Sequence, residues 1–170
     1  MQVDQATADW LANFMAGAAK AKQGLLPLRE TADHIKSDVR KVLVAAGISV
    51  DSVKIREQNM QDQSISIYPA DEPHEFDVPV ISIAGTYAQQ WGHRHAAKIL
   101  SVAHEVGHFL RGHLDARAQQ SHQIELEADE AAGRLAARLG LSETDIEDWI
   151  RSLTHPQGCA THPPHDQRLA

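Results

Sequence analysis

Apolar residues recur at three- and four-residue intervals in two stretches near the start of the chain. Val3, Ala6, Trp10, Phe14 and Ala18 form one stripe, predicting a first helix that stops near Gly24. After Pro27, a second stripe runs through Ile35, Val39, Leu43 and Ala46, with Thr31 placed to cap its helix and Gly47 to end it. The period then changes to two. VKIREQ (53–58) and SISIY (64–68) alternate apolar and polar positions on either side of the turn-like NMQDQ. The loop PADEPHEFD leads into VPVISIAG (78–85), so three strands are expected. A strongly apolar helix follows, from about His95 to Leu114. The polar DARAQQSHQ connects it to another helix, from about Ile124 to Leu139 and closed by Gly140. Ser142 and Asp145 form an S-x-x-D capping signal for SETDIEDWIRSL, and the tail THPQGCATHPPHDQRLA reads as a Pro/His loop. Helices around one small, mainly antiparallel sheet make an α+β order.

A chain of 170 residues fits one domain. Helices are expected over 1–50, the sheet over 51–95 and a second helical part over 96–170. Net charge of −7 and the lack of any Lys/Arg block argue against a nucleic-acid partner. No window reaches 18 uninterrupted apolar residues, so no membrane span is expected. The first residues carry an acidic group and no basic n-region, unlike a signal peptide. With a single cysteine, Cys159, the expected location is cytoplasmic.

The chemistry concentrates in SVAHEVGHFLRGH, residues 101–113. H-E-x-x-H arises by accident in roughly one chain in twenty-five of this composition, so the motif needs support from elsewhere. Helical positions four apart differ by about 40° in direction, which puts His104 and His108 on one face, able to share one zinc ion. Glu105, about 100° round the helix, is placed to hold a water on that metal and take its proton. A histidine six residues after His108 would complete a metzincin set, but Leu114 stands there. His113 lies about 140° from His108 on a continuing helix and reads as a structural or surface residue. The third ligand is then expected from the IELEADEAA helix. Glu125 can reach the metal, and Asp129, four residues on, can accept the second N–H of a ligand histidine. Glu127, about 200° from Glu125, is expected to be exposed. Ala128, Ala132 and Gly133 are small enough for two helices to approach closely.

HEVGHFLRGH, then E-L-E-A-D, then THPP-x-x-x-R, in this order, resemble the M48 family of gluzincin peptidases, the Ste24/HtpX-like group. The resemblance covers about the last 80–90 residues and extends more weakly to VPVISIAGTYAQQW. It implies a zincin-like fold and one Zn2+ per chain. His104, His108 and Glu125 would be its ligands, with Asp129 supporting a ligand histidine. Thr161, His162, Pro163, Pro164 and Arg168 would lie by the cleft. The membrane helices common in that family have no counterpart here, and the N-terminal 50 residues match none of its motifs.

The expected activity is that of a soluble zinc-dependent endopeptidase acting on a protein or peptide substrate through a Glu105-activated, zinc-bound water. The alternatives are a latent or partner-activated regulatory metalloprotease or sensor domain, and a non-catalytic peptide-binding module. His162 is a candidate catalytic residue, as oxyanion donor or as an extra ligand enforcing latency. Arg168 and Tyr87 are candidate substrate or oxyanion contacts. If VISIA is an edge strand, Ile81, Ser82 and Ile83 can pair with an extended substrate. Cys159 is a candidate latency thiolate, the alternative being a bystander. His93, His95, His155 and His165 read as surface residues. Oligomeric state stays open.

Overall fold

The structure is a computed structural model and describes residues 28–58, 65–68, 78–84, 95–113, 121–153 and 155–170. The expected first helix, Tyr87 and His93 lie outside these residues. Five α-helices and three strands are described: α1 (Leu28–Ala46), β1 (Lys54–Gln58), β2 (Ile65–Tyr68), β3 (Val80–Ala84), α2 (His95–Leu110), α3 (His122–Arg138), α4 (Glu143–Ser152) and α5 (His165–Arg168). None of these helices is long and apolar enough to cross a membrane. The α+β order stands, mostly helical with one small sheet.

Helix α2 is the central element. Ten of its positions are buried, from Ala97 to His108, because it packs against α1, α3, α4 and β2. A helix covered on so many sides must be apolar nearly all round. Val39, Val42 and Leu43 of α1, Ile65 and Ile67 of β2, Leu135 of α3 and Trp149 and Ile150 of α4 close the core around it. Helix α1 begins at Leu28, directly after Pro27, so Thr31 lies within it rather than capping it. Gly47 ends it as expected, at φ 74° in the left-handed region that favours glycine. At α4 the capping box is complete. The Ser142 hydroxyl accepts from the Asp145 N–H at 3.2 Å, and the Asp145 carboxylate accepts from the Ser142 N–H at 2.8 Å.

The sheet departs from the mainly antiparallel expectation. Its order is β1-β3-β2, with β3 parallel to β1 and antiparallel to β2. NMQDQ therefore does not join a hairpin; β3 enters between the two strands it separates. The reason is visible in burial. All five residues of VISIA are buried, as a strand covered on both faces requires, while β1 exposes Lys54. Val80–Ala84 is thus the inner strand and no edge, so Ile81, Ser82 and Ile83 cannot pair with an added substrate strand. Among the described residues, β2 is the edge that faces α2.

Candidate metal centre

One turn of α2 separates His104 from His108, and their Nε2 atoms stand 3.1 Å apart. Helix α3 brings Glu125 to the same point. Its Oε2 is 3.3 Å from the His104 Nε2 and its Oε1 is 3.7 Å from the His108 Nε2. All three side chains are buried, and each offers one ligand atom within 4.8 Å of the others. Bonds of about 2.0–2.1 Å at tetrahedral angles would put donor atoms about 3.4 Å apart, near the spacings observed. Glu125 Oε2 accepts no aligned hydrogen bond despite its burial. Two imidazole nitrogens stand near it, those of His104 and His162, each at 3.3 Å. A buried carboxylate oxygen without an aligned donor is costly unless a cation completes it. The group fits a metal ion on distance, burial and chemistry, and two imidazoles with one carboxylate suit zinc.

The close approach of the two helices sets this geometry. A Cβ on Gly107 would lie 2.6 Å from the Ala128 carbonyl oxygen, so only glycine allows α3 to come this near. Ala128 and Ala131 line the crossing, and Ala128 and Ala132 are fully buried. Gly133 lies away from it, for a Cβ there would meet nothing within 4 Å.

The remaining nitrogens of both histidines are held. The His104 Nδ1 is 2.9 Å from Asp129 Oδ1, as the four-residue offset from Glu125 predicted. Arg168 binds the same carboxylate through two N–H groups, each at 2.7 Å. Residues 165–168 form a single helical turn, α5, where a loop was expected, and the Arg168 it carries is buried against Asp129 with its guanidinium 5.6 Å from the Trp149 ring centre. Arg168 therefore pairs with the carboxylate that holds His104 rather than with solvent. Trp149 donates its indole N–H to Ser101 Oγ at 3.1 Å, tying α4 to α2 behind the site. Only burial reveals the place of Trp149, since a tryptophan on an amphipathic helix reads as core.

Electrostatics agree. Burial alone would depress the His104 imidazolium, but its hydrogen bond to Asp129 and the Glu125 carboxylate beside it win and push its pKa up to about 10. Burial likewise disfavours charge on Asp129 and Glu125. Yet His104 and Arg168 hold Asp129, and His104, His162 and His108 hold Glu125, below the ordinary carboxylate range. The site attracts positive charge.

Glu105 leaves the ligand face as expected. Its Oε2 accepts the backbone N–H of Ile67 in β2 at 2.9 Å. His162 sits at the other side, half-exposed, with Nδ1 2.8 Å from Thr161 Oγ1 and Nε2 3.3 Å from Glu125 Oε2. Burial, the charges of Arg168 and His104 next, hold His162 below its ordinary pKa against the pull of Glu125. Cys159 Sγ is 3.8 Å from the His162 Nδ1 and 3.4 Å from Thr161 Oγ1, on the far side of the imidazole from Glu125. His95 is largely exposed, 3.8 Å from Asp38. His113 is the surprise: it is buried and reaches His108, because α2 stops at Leu110 and the helical angle no longer applies.

Compared with known proteins, the chain matches no family model, no curated protein and no solved structure.

Proposed function

We propose that the protein is a zinc-dependent endopeptidase of the gluzincin kind. The carrying observation is the position of Glu105. Its carboxylate stands next to the His104–His108–Glu125 group in sequence and on the β2 backbone in space. A general base that touches both a metal-ligand helix and a strand edge suits a substrate that is itself an extended polypeptide. The motif resemblance points the same way. Bound zinc would supply Lewis acidity and lower the pKa of a water. Glu105 takes the proton of the attacking water and returns it to the leaving amine nitrogen. Asp129 and Arg168 hold the His104 ring in one tautomer, with Nε2 toward the ligand point. An extended peptide lying along β2 would present its carbonyl beside Glu105.

The proximity of His162 to Glu125 supports a second reading, a latent or partner-activated form. With its Nε2 3.3 Å from an oxygen of Glu125, the tail histidine is close enough to occupy that carboxylate and compete for the metal point.

Two variants test the main reading. By mass spectrometry, wild type should carry roughly one zinc per chain and Glu125→Ala should lose it. Glu105→Gln should keep the zinc and lose casein cleavage by about 10²- to 10⁴-fold. Full zinc-dependent cleavage by Glu105→Gln would sink the mechanism. Zinc on wild type without cleavage would move the assignment to the latent form.

A further inference from the structure

The end of α2 is built so that one residue meets His108 twice. Gly112 takes φ +70°, and the turn it makes returns two backbone bonds to the helix. The Gly112 N–H reaches the Phe109 carbonyl at 3.1 Å and the His113 N–H reaches the His108 carbonyl at 2.9 Å. This is the paired bonding of a Schellman ending, in which the residue after the glycine folds back over the last turn. An apolar contact usually fills that place. Here it is filled by two imidazoles, with His113 Nδ1 3.2 Å from His108 Nδ1 and the ring centroids 5.4 Å apart. On its far side, His113 Nε2 is 3.1 Å from Glu127 Oε2. Gln123 donates to the other oxygen of Glu127 at 2.8 Å, fixing that carboxylate along α3.

We propose that His113, held by Glu127, is a positioning residue that orients His108 for metal binding; the inference rests on the metal reading of the site above. The proton order follows from the partners. Glu127 is ionised and accepts, so His113 carries its proton on Nε2. Its Nδ1 is then an acceptor, and His108 must carry its own proton on Nδ1. That leaves the His108 Nε2 lone pair toward His104 and Glu125, where a metal needs it. The arrangement parallels His104–Asp129–Arg168. Each ligand imidazole thus has its second nitrogen engaged by a chain ending on a charged side chain, and both chains run through α3. Glu127 lies on a different face from Glu125 and still serves the site, because His113 hangs beyond the end of α2 and reaches round.

The test uses wild type, His113→Phe, His113→Asn and Glu127→Ala in the full chain. Zn2+ dissociation constants are measured by competition with a chromophoric chelator, and ligand geometry is followed by the visible spectrum of the Co2+-loaded protein. Phenylalanine fills the space but accepts no hydrogen bond, and asparagine keeps an acceptor near the Nδ1 position. His113→Phe should weaken Zn2+ binding by roughly 10- to 100-fold and change the Co2+ spectrum, and His113→Asn should recover part of both. Glu127 is at the surface, so Glu127→Ala folds regardless and should show a smaller loss in the same direction. Nitrogen-15 NMR of the wild-type histidines should find the proton of His113 on Nε2 and that of His108 on Nδ1. Unchanged Zn2+ affinity in all three variants, equal losses in Phe and Asn, or the opposite tautomers would overturn this inference alone. Wild type that takes up no Zn2+ would overturn the metal reading and this inference with it.

Discussion

Gly107→Ala changes one hydrogen for a methyl at the point where the ligand-bearing helices cross. In an exposed helix the change would help, since alanine is favoured over glycine by about 1 kcal/mol. Here the new Cβ would stand 2.6 Å from the Ala128 carbonyl oxygen and 3.2 Å from both the Ala128 Cα and the Ala131 Cβ. The nearest of these contacts is about 0.8 Å short of the 3.4 Å at which ordinary contact begins. The neighbour is backbone, so no side-chain rotation relieves it; α3 has to move. Overpacking of this kind costs about 1–3 kcal/mol, which matches or exceeds the gain in helix propensity. The metal-free protein should therefore melt lower, at roughly 2–4 °C for each net kcal/mol. Function suffers more than stability. His104 and His108 ride on α2, Glu125 and Asp129 on α3, and a metal site tolerates donor distances only within about 0.2 Å. A shift of several tenths of an ångström between the helices should cost more Zn2+ affinity than folding free energy. Circular dichroism melts in EDTA and chelator competition for Zn2+ measure the two effects separately. A Gly107→Ala protein with wild-type melting and wild-type Zn2+ affinity would refute the claim that this crossing sets the site.

Three further outcomes are expected. In the metal-free protein, His104 is raised above its ordinary value to about 10. Its contribution to stability is complete below about pH 6.5 and is lost as pH rises toward 10. Melts in EDTA at pH 6.5 and pH 9.5 should show that fall, and Asp129→Asn, which removes the largest favourable partner, should flatten it. Replacing Arg168 by Leu leaves the buried Asp129 carboxylate with His104 alone, a loss of about 3–5 kcal/mol that chemical denaturation can measure; Arg168→Lys should recover only part, since an ammonium cannot make both bonds. If the tail restrains the site, His162→Ala should raise casein cleavage at constant zinc content. If His162 instead assists catalysis, the same variant should lower it, and a zinc-normalised rate comparison decides between the two.

The local periods along the chain place the three strands and every described α-helix except α5 to within a few residues. Alternation marks β1 and β2, the mostly apolar VPVISIAG marks β3, and Ser142 with Asp145 announces the start of α4. Such features depend on neighbours a few positions away, and spacing within one helix is equally local. That is why His104 with His108, and Glu125 with Asp129, could be paired before any fold was known. Contacts between elements are not written in such spacings. The insertion of β3 between β1 and β2 depends on which strand has both faces covered, and this moved the candidate edge from Ile81–Ile83 to β2. The Asp129–Arg168 pair depends on one turn of α5 being delivered against α3. The 140° separation expected between His113 and His108 fails for a geometric reason: helical angles hold only while the helix continues, and Gly112 reverses the chain two residues after it ends. The sequence by itself determined which side chains share a helix face. Only the packing of α2 against α3, α4 and β2 decided which faces meet, because burial and hydrogen bonding there are settled by groups far apart along the chain.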